Sequence, residues 1–282
     1  MTYLTLLKRL SELGADAPAH EALEMARVLA GRTREWCMCN RETELPECID
    51  SAVAKRECGV PLQYILGEAW FYGNRFTVSP DCLIPQPDTE HCVAIALDHL
   101  HDGGRLLDLC TGSGCIAISV LKEAAVVAAA IDISPAALAI AQNNAISHGV
   151  ADRLRLIESD VLSTDILPHI ADADVIVSNP PYIDSDVIDT LSDEVRHEPR
   201  IALDGGSDGM LFYRRFIREL AHVMKRDAVM ILEIGYDQSE RILDLCSKEH
   251  LNCRLHRDFG GNVRVAEITR NNSEKKNRIL LH

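Results

Sequence analysis

No stretch of the chain approaches the roughly 18 uncharged apolar residues that a membrane-spanning helix needs; the nearest, residues 124–131, is short and runs into Asp132. Basic runs are equally scarce. No Lys/Arg-rich segment occurs before Lys275-Lys276, and 43 acidic residues against 29 basic ones give a formal charge of -14. Proteins that grip a nucleic-acid backbone usually carry a basic patch, because neutralised phosphates supply most of the non-specific affinity. The balance therefore counts against direct nucleic-acid binding without excluding it. Zinc-type spacing is missing too: of ten cysteines only Cys37 and Cys39 are close, Cys48 and Cys58 lie further on, and no C-x-x-C or His pair completes a site. A chain of 282 residues can build a core without disulfide staples, so free, largely buried thiols and no metal are expected. The opening MTYLTLLKRLSELGAD has no basic region followed by an apolar block and a small-residue cleavage site. A cytoplasmic protein without membrane attachment is the expectation.

What is present is an ordinary globular composition, 47% hydrophobic and 26% charged, over a length that suits one or two domains. The first 60 or so residues have helical spacing. Leu4, Leu7, Leu10 and Leu13 recur before Gly14, Ala22, Leu23, Ala26, Leu29 and Ala30 before Gly31, and Ile49 and Val53 before Gly59. They predict a small helical domain, either a recognition module or a packing extension of the main domain. From Val60 to Asp88 the texture turns to Gly, Pro and aromatics; Phe76-Thr77-Val78 alternates like a strand, and Pro80, Pro85 and Pro87 exclude a helix before Thr89. This reads as a linker with a hairpin.

Beyond it, strand-like segments (residues 105–109, 126–131, 153–157, 175–177 and 229–233) alternate with helical ones. The clearest helix opens at Ser134-Pro135, an N-cap serine with a first-turn proline, and stops at Gly149. Such alternation predicts an α/β fold with a parallel sheet covered on both faces. After a helix over about 238–249, residues 253–257 and 263–269 predict an antiparallel hairpin on the sheet edge, followed by a polar tail from Asn271.

The first strand of this sheet runs into Asp108-Leu109-Cys110-Thr111-Gly112-Ser113-Gly114 and then an apolar helix. Glycines at a strand-to-helix turn let backbone approach a ligand and aim helix N-terminal N–H groups at it. Asp132, ending the next strand, can accept both hydroxyls of a ribose. The loop suits a nucleoside-containing cofactor but does not choose between NAD, FAD and S-adenosylmethionine. Asp160, in Ser159-Asp160-Val161 after the third strand, could meet an adenine amino group.

The fourth strand ends in Asn179-Pro180-Pro181-Tyr182. The Asn179 side-chain oxygen and the Pro180 carbonyl are two acceptors for the two hydrogens of one NH2 group. Pro181 holds Pro180 extended, and Tyr182 offers a flat face to a planar group. A conjugated amino group is a poor nucleophile; gripping both hydrogens favours pyramidalisation and aims the lone pair, so positioning supplies the catalysis. No dedicated base is needed, which agrees with the absence of His or carboxylate from the tetrapeptide.

N-P-P-Y at this place resembles the amino-group methyltransferases that use S-adenosylmethionine. VPLQYILG (60–67), FYG (71–73), LIPQPDTE (83–90), DLCTGSGCIAI (108–118), SNPPYI (178–183), VRHEP (195–199), LEIG (232–235) and RDFGGNVRV (257–265) resemble the release factor glutamine methyltransferase family, over nearly the whole chain. The resemblance implies a Rossmann-like class I methyltransferase sheet of seven strands, the last antiparallel. It implies a helical recognition domain over 1–73, a hairpin and linker over 74–90, and a methyltransferase domain over 91–282. It further implies that Asp108, Cys110, Thr111, Gly112, Ser113, Gly114, Asp132, Asp160, Val161 and Asn179 serve S-adenosylmethionine. Asn179, Pro180, Pro181 and Tyr182 would receive the glutamine of the Gly-Gly-Gln motif of a peptide chain release factor, with Asn179, Pro180 and Tyr182 carrying catalysis. Two positions depart from the family pattern: Gln86 stands where Arg is common, and Cys110 where a glycine is, adding a β-carbon that restricts the loop. The alternatives are a DNA or RNA adenine methyltransferase, which shares the tetrapeptide, and a catalytically silent cofactor-binding partner protein.

Overall fold

The computed structural model describes residues 1–258 and 260–271. The polar tail past Asn271 and Phe259 of the last connection lie outside the described residues. The chain divides into two compact units, one made of Met1–Glu68 with Leu191–His197, the other of Ala69–Thr190 and the chain from Glu198.

The first unit holds the helices Tyr3–Glu12, Pro18–Ala30, Arg34–Cys39, Cys48–Glu57 and Leu62–Leu66. Thr2 and Thr33 cap their helices by accepting from Thr5 N and Trp36 N, and Gly31 closes another with φ +62°. The buried stripe of the first helix is Tyr3, Leu6 and Leu10, whereas Leu4 is 47% and Leu13 42% exposed. The helix stands where the leucine spacing predicts one, but the four leucines do not all share its buried face. Strict i, i+3 steps drift by about 60° each on a helix of 3.6 residues per turn, so Leu4 and Leu13 point to opposite sides. Arg56, between Glu21 (2.9 Å) and Glu194 (2.5 Å), ties segment 191–197 into this unit.

The second unit carries two sheets. In the small one, β1 (Glu68–Phe71) and β2 (Asn74–Thr77) form a hairpin. Its turn, Tyr72-Gly73, has positive φ at both residues (+48° and +69°), the handedness that matches strand twist. The strand expected at 76–78 thus lies slightly earlier. The large sheet holds β3 (Arg105–Leu109), β4 (Val127–Asp132), β5 (Leu154–Glu158), β6 (Val175–Ser178), β7 (Val229–Glu233), β8 (Leu251–Arg257) and β9 (Val263–Arg270), in the order β5-β4-β3-β6-β7-β9-β8. Strands β3 to β7 pair in parallel, and β9 runs antiparallel to both neighbours. The expected antiparallel hairpin lies on the sheet edge: β8 forms the edge itself, and β9 inserts between it and β7.

Leu107, Leu109 and Ile176 face one apolar layer and Leu106, Val175 and Val177 the other. Burial on both sides explains why these strands read as continuous apolar runs. The chain order reverses between β3 and β6, which opens a crevice at their carboxyl ends, where such sheets bind ligands. Among the described residues no helix is long and apolar enough to cross a membrane.

Candidate functional site

At the crevice, Ser178 Oγ donates to the Leu109 carbonyl at 2.7 Å and locks the ends of β6 and β3 together. The chain then turns through Cys110 (φ +58°), Gly112 (+56°) and Gly114 (+79°) into the helix Cys115–Glu123. Cys110 holds a left-handed conformation that suits glycine and costs an L-residue roughly 1–2 kcal/mol. Gly114 has little room for a side chain: a β-carbon would lie 3.0 Å from Ile118 Cδ1 and 3.1 Å from Ala141 Cβ. Behind the loop, buried Asp108 accepts from Thr111 Oγ1 (2.6 Å) and Ala117 N (3.3 Å). Its Oδ1 has no partner among the described residues, and burial pushes its carboxyl up to about 7. Asp132 accepts from Gly112 N (2.8 Å) and Ser134 N (2.9 Å); burial raises its pKa too.

Buried Asn144, on the helix Pro135–Ser147, supports the loop from beneath. Its side chain accepts from Thr77 N at 2.8 Å and donates to Thr77 O (3.0 Å) and Ser113 O (2.9 Å), joining β2 to the loop. Replacing Asn144 by Ala strands the buried Ser113 carbonyl and removes the partner of the more exposed Thr77 backbone groups. The unfolding free energy in urea is expected to drop by about 1–3 kcal/mol.

A cavity of about 180 Å³ opens in front of the loop. Of the residues singled out in the sequence, Cys110, Gly112, Asp132, Asp160, Val161, Asn179 and Pro181 line it. Asp108, Thr111, Ser113, Gly114, Pro180 and Tyr182 stand behind or beside these wall residues. Ile133, Leu162, Ile201 and Phe212 make the wall largely apolar. Asp160 Oδ1 is engaged by Leu162 N (2.8 Å). Leu83 and Pro199 on the wall come from the LIPQPDTE and VRHEP stretches, which meet where Glu198 Oε2 accepts from Ile84 N at 3.0 Å. Burial pushes Glu198 up to about 7. Gln86 is exposed and turns back to the Ile84 carbonyl (3.1 Å).

The tetrapeptide is held by residues to which the sequence alone assigned no role. Asn179 Nδ2 donates to Thr89 Oγ1 (3.1 Å), and Thr89 Oγ1 donates to Glu233 Oε2 (2.5 Å). The Tyr182 hydroxyl is 3.4 Å from Glu233 Oε1, and Tyr213 donates to the Glu233 carbonyl (2.8 Å). Gln238 Nε2 donates to the Tyr182 and Gly209 carbonyls, each at 3.0 Å. Glu233 is fully buried, and its carboxyl is pushed up to about 7 by that burial. The signal for Glu233 was available: a carboxylate ends an apolar strand, Val-Met-Ile-Leu-Glu, at the ligand-binding edge.

The comparisons with known proteins meet this geometry. Residues 90–213 match the methyltransferase small domain, and residues 5–67 match the PrmC N-terminal domain. The release factor glutamine methyltransferase of Nitratidesulfovibrio vulgaris is 38% identical over 84% of this chain and 82% of its own. The chain belongs to the release factor glutamine methyltransferase family. A ribosomal protein uL3 glutamine methyltransferase of Francisella tularensis is 36% identical over 72% of this chain and 66% of its own. In three dimensions the M. jannaschii tRNA m1G37 methyltransferase aligns with a TM-score of 0.50 at 16% identity, over 72% of this chain and 56% of that one. At that identity the likeness speaks for the fold alone, a class I methyltransferase sheet shared by this family. Membership implies use of S-adenosylmethionine.

Proposed function

We propose that this protein transfers a methyl group from S-adenosylmethionine to the side-chain amide nitrogen of the glutamine in the Gly-Gly-Gln motif of a peptide chain release factor. The observation that carries the reading is Asn179 on the cavity wall, at the end of β6 and beside the loop of Cys110, Gly112 and Gly114. The wall fits the cofactor. Asp132 suits the ribose hydroxyls and Asp160 the adenine amino group, the apolar side chains suit a flat ring, and Gly112 leaves open space where a β-carbon would project. Carboxylates around the cavity also suit a cationic ligand. S-adenosylmethionine, when bound, supplies an electrophilic methyl group.

The chain's own residues supply position. Asn179 Oδ1 and the Pro180 carbonyl take the two amide hydrogens, loosening the nitrogen lone pair from conjugation, and Tyr182 flanks the amide plane. The methylated nitrogen is strongly acidic and releases its proton to water without a dedicated base. We assign substrate recognition to the helical part of residues 1–73, with 74–90 completing the hairpin that opens at β1 and serving as linker, and 91–282 as the methyltransferase domain. The separate family match over 5–67 supports this division. A formal charge of -14 supports a protein substrate over a nucleic acid.

The test is mass spectrometry after incubation with S-adenosylmethionine and, separately, a release factor, ribosomal protein uL3 and duplex DNA. The expected result is one added CH2 on the Gly-Gly-Gln glutamine. Label in DNA or uL3 alone would overturn the assignment.

A further inference from the structure

We propose that Thr89 and Glu233 are positioning residues that dictate which end of the Asn179 amide faces the cavity. The inference rests on the reading of Asn179 Oδ1 as an acceptor for the substrate amide. A primary amide has nearly the same shape after a half-turn, so only its partners choose between its oxygen and its nitrogen. An acceptor turned toward an incoming NH2 group supports the reaction, while a donor turned the same way repels it.

The choice follows from proton counting. Ionised Glu233 is acceptor-only, and Thr89 Oγ1 sits 2.5 Å from its Oε2. The single hydroxyl proton of Thr89 is therefore committed to the carboxylate, which leaves Oγ1 only lone pairs. Its other partner must be a donor, and Asn179 Nδ2 lies 3.1 Å away. Asn179 Oδ1 is thereby turned away from Thr89 and left for the cavity. The same carboxylate holds the Tyr182 hydroxyl through Oε1, so one buried group orients both ends of the tetrapeptide.

Protonation of Glu233 reverses the logic. The acid would donate to Thr89, freeing the threonine proton to bond the Asn179 oxygen and turn the amide over. The groups facing Glu233 among the described residues are Asp88, which favours the proton, Arg264, which opposes it, the hydroxyls of Tyr182, Tyr213 and Thr89, and the Cys92 thiol. Burial sets the transition near pH 7. The carboxylate form above it is the active one, and turnover falls as pH drops through it.

The experiment compares Thr89→Val, Thr89→Ser and Asn179→Ala, reading kcat, KM, S-adenosylmethionine affinity and the pH profile with a release factor as substrate. Thr89→Val keeps the shape without the hydroxyl and is expected to lose kcat on the order of 100-fold, with cofactor affinity unchanged. Thr89→Ser restores the hydroxyl and kcat within a few-fold. The acid limb of the parent should vanish in Thr89→Val. Parental kcat in Thr89→Val, or equal losses in the Val and Ser variants, overturns the proposal while leaving the Asn179 reading intact. Turnover retained in Asn179→Ala overturns that reading and the proposal with it.

Discussion

Asn179→Ala is expected to lose turnover on the order of a thousandfold or more while binding S-adenosylmethionine within about tenfold of the parent. The asymmetry follows from the cavity wall. In the proposed function cofactor affinity draws on several groups of the wall, among them Asp132, Asp160, the glycine loop and the apolar side chains. The substrate amide is there assigned two acceptors, and removing Oδ1 would leave one hydrogen ungripped and the lone pair in conjugation. Little else should change. Thr89 keeps its bond to Glu233, and the truncated side chain is half-buried rather than part of the core, so a stability loss of about 1 kcal/mol is expected. Single-turnover transfer of labelled methyl, paired with calorimetric titration of the cofactor, separates the two quantities. Unchanged turnover would refute the role assigned to Asn179.

Gly205→Ala should be nearly as damaging without touching either ligand. A β-carbon at Gly205 would lie 2.7 Å from Tyr182 Cα, 2.8 Å from Tyr182 C and 2.9 Å from the Pro181 carbonyl oxygen. These are backbone atoms, which cannot swing aside as a side chain can. They must retreat by about 0.7 Å to reach ordinary contact at 3.4 Å. The neighbouring chain limits that retreat: Ile183 N donates to Leu203 O (2.9 Å) and Gly205 N to Ile183 O (2.8 Å). The strain should cost about 1–3 kcal/mol of stability. The shift would carry Pro180 and Asn179 with it, and misplacement of that size is expected to lower kcat on the order of 100-fold. Steady-state kinetics with thermal unfolding tests this. A folded Gly205→Ala enzyme with parental kcat would mean that the Tyr182 backbone position is not critical.

The parts of this site legible in the sequence are those written locally. Apolar runs that end at Asp132 and Asn179 mark strand ends, Ser134-Pro135 marks a helix start, and the glycines at 112 and 114 mark a turn that backbone must approach closely. What stayed hidden depends on contacts between distant segments. Thr89 and Glu233 are 144 positions apart, and Asn144 reaches Thr77 across 67. A threonine in a proline-rich stretch and an asparagine in a helix carry no local mark of such partners. Gly205 and Gly209 look like ordinary loop glycines until Tyr182 is packed against them. The leucine spacing marks the first helix but not its buried face, since the helical angle carries Leu4 and Leu13 to opposite sides of the axis.

The placement of β9 has a consequence for biogenesis. Because β9 comes last in the chain among the described strands yet lies between β7 and β8, a nascent chain that has not yet produced residues 263–270 leaves β7 and β8 without their shared partner. Unsatisfied edges on the apolar β7 and on β8 are a template for association with other chains. Arg264, which bridges Asp88 (3.1 Å) and Asp258 (3.2 Å), also arrives only then. Ribosomes stalled short of β9 should therefore hold a chain whose cofactor loop can already form but whose sheet is open, and which calls on chaperones until the final strand is threaded into place.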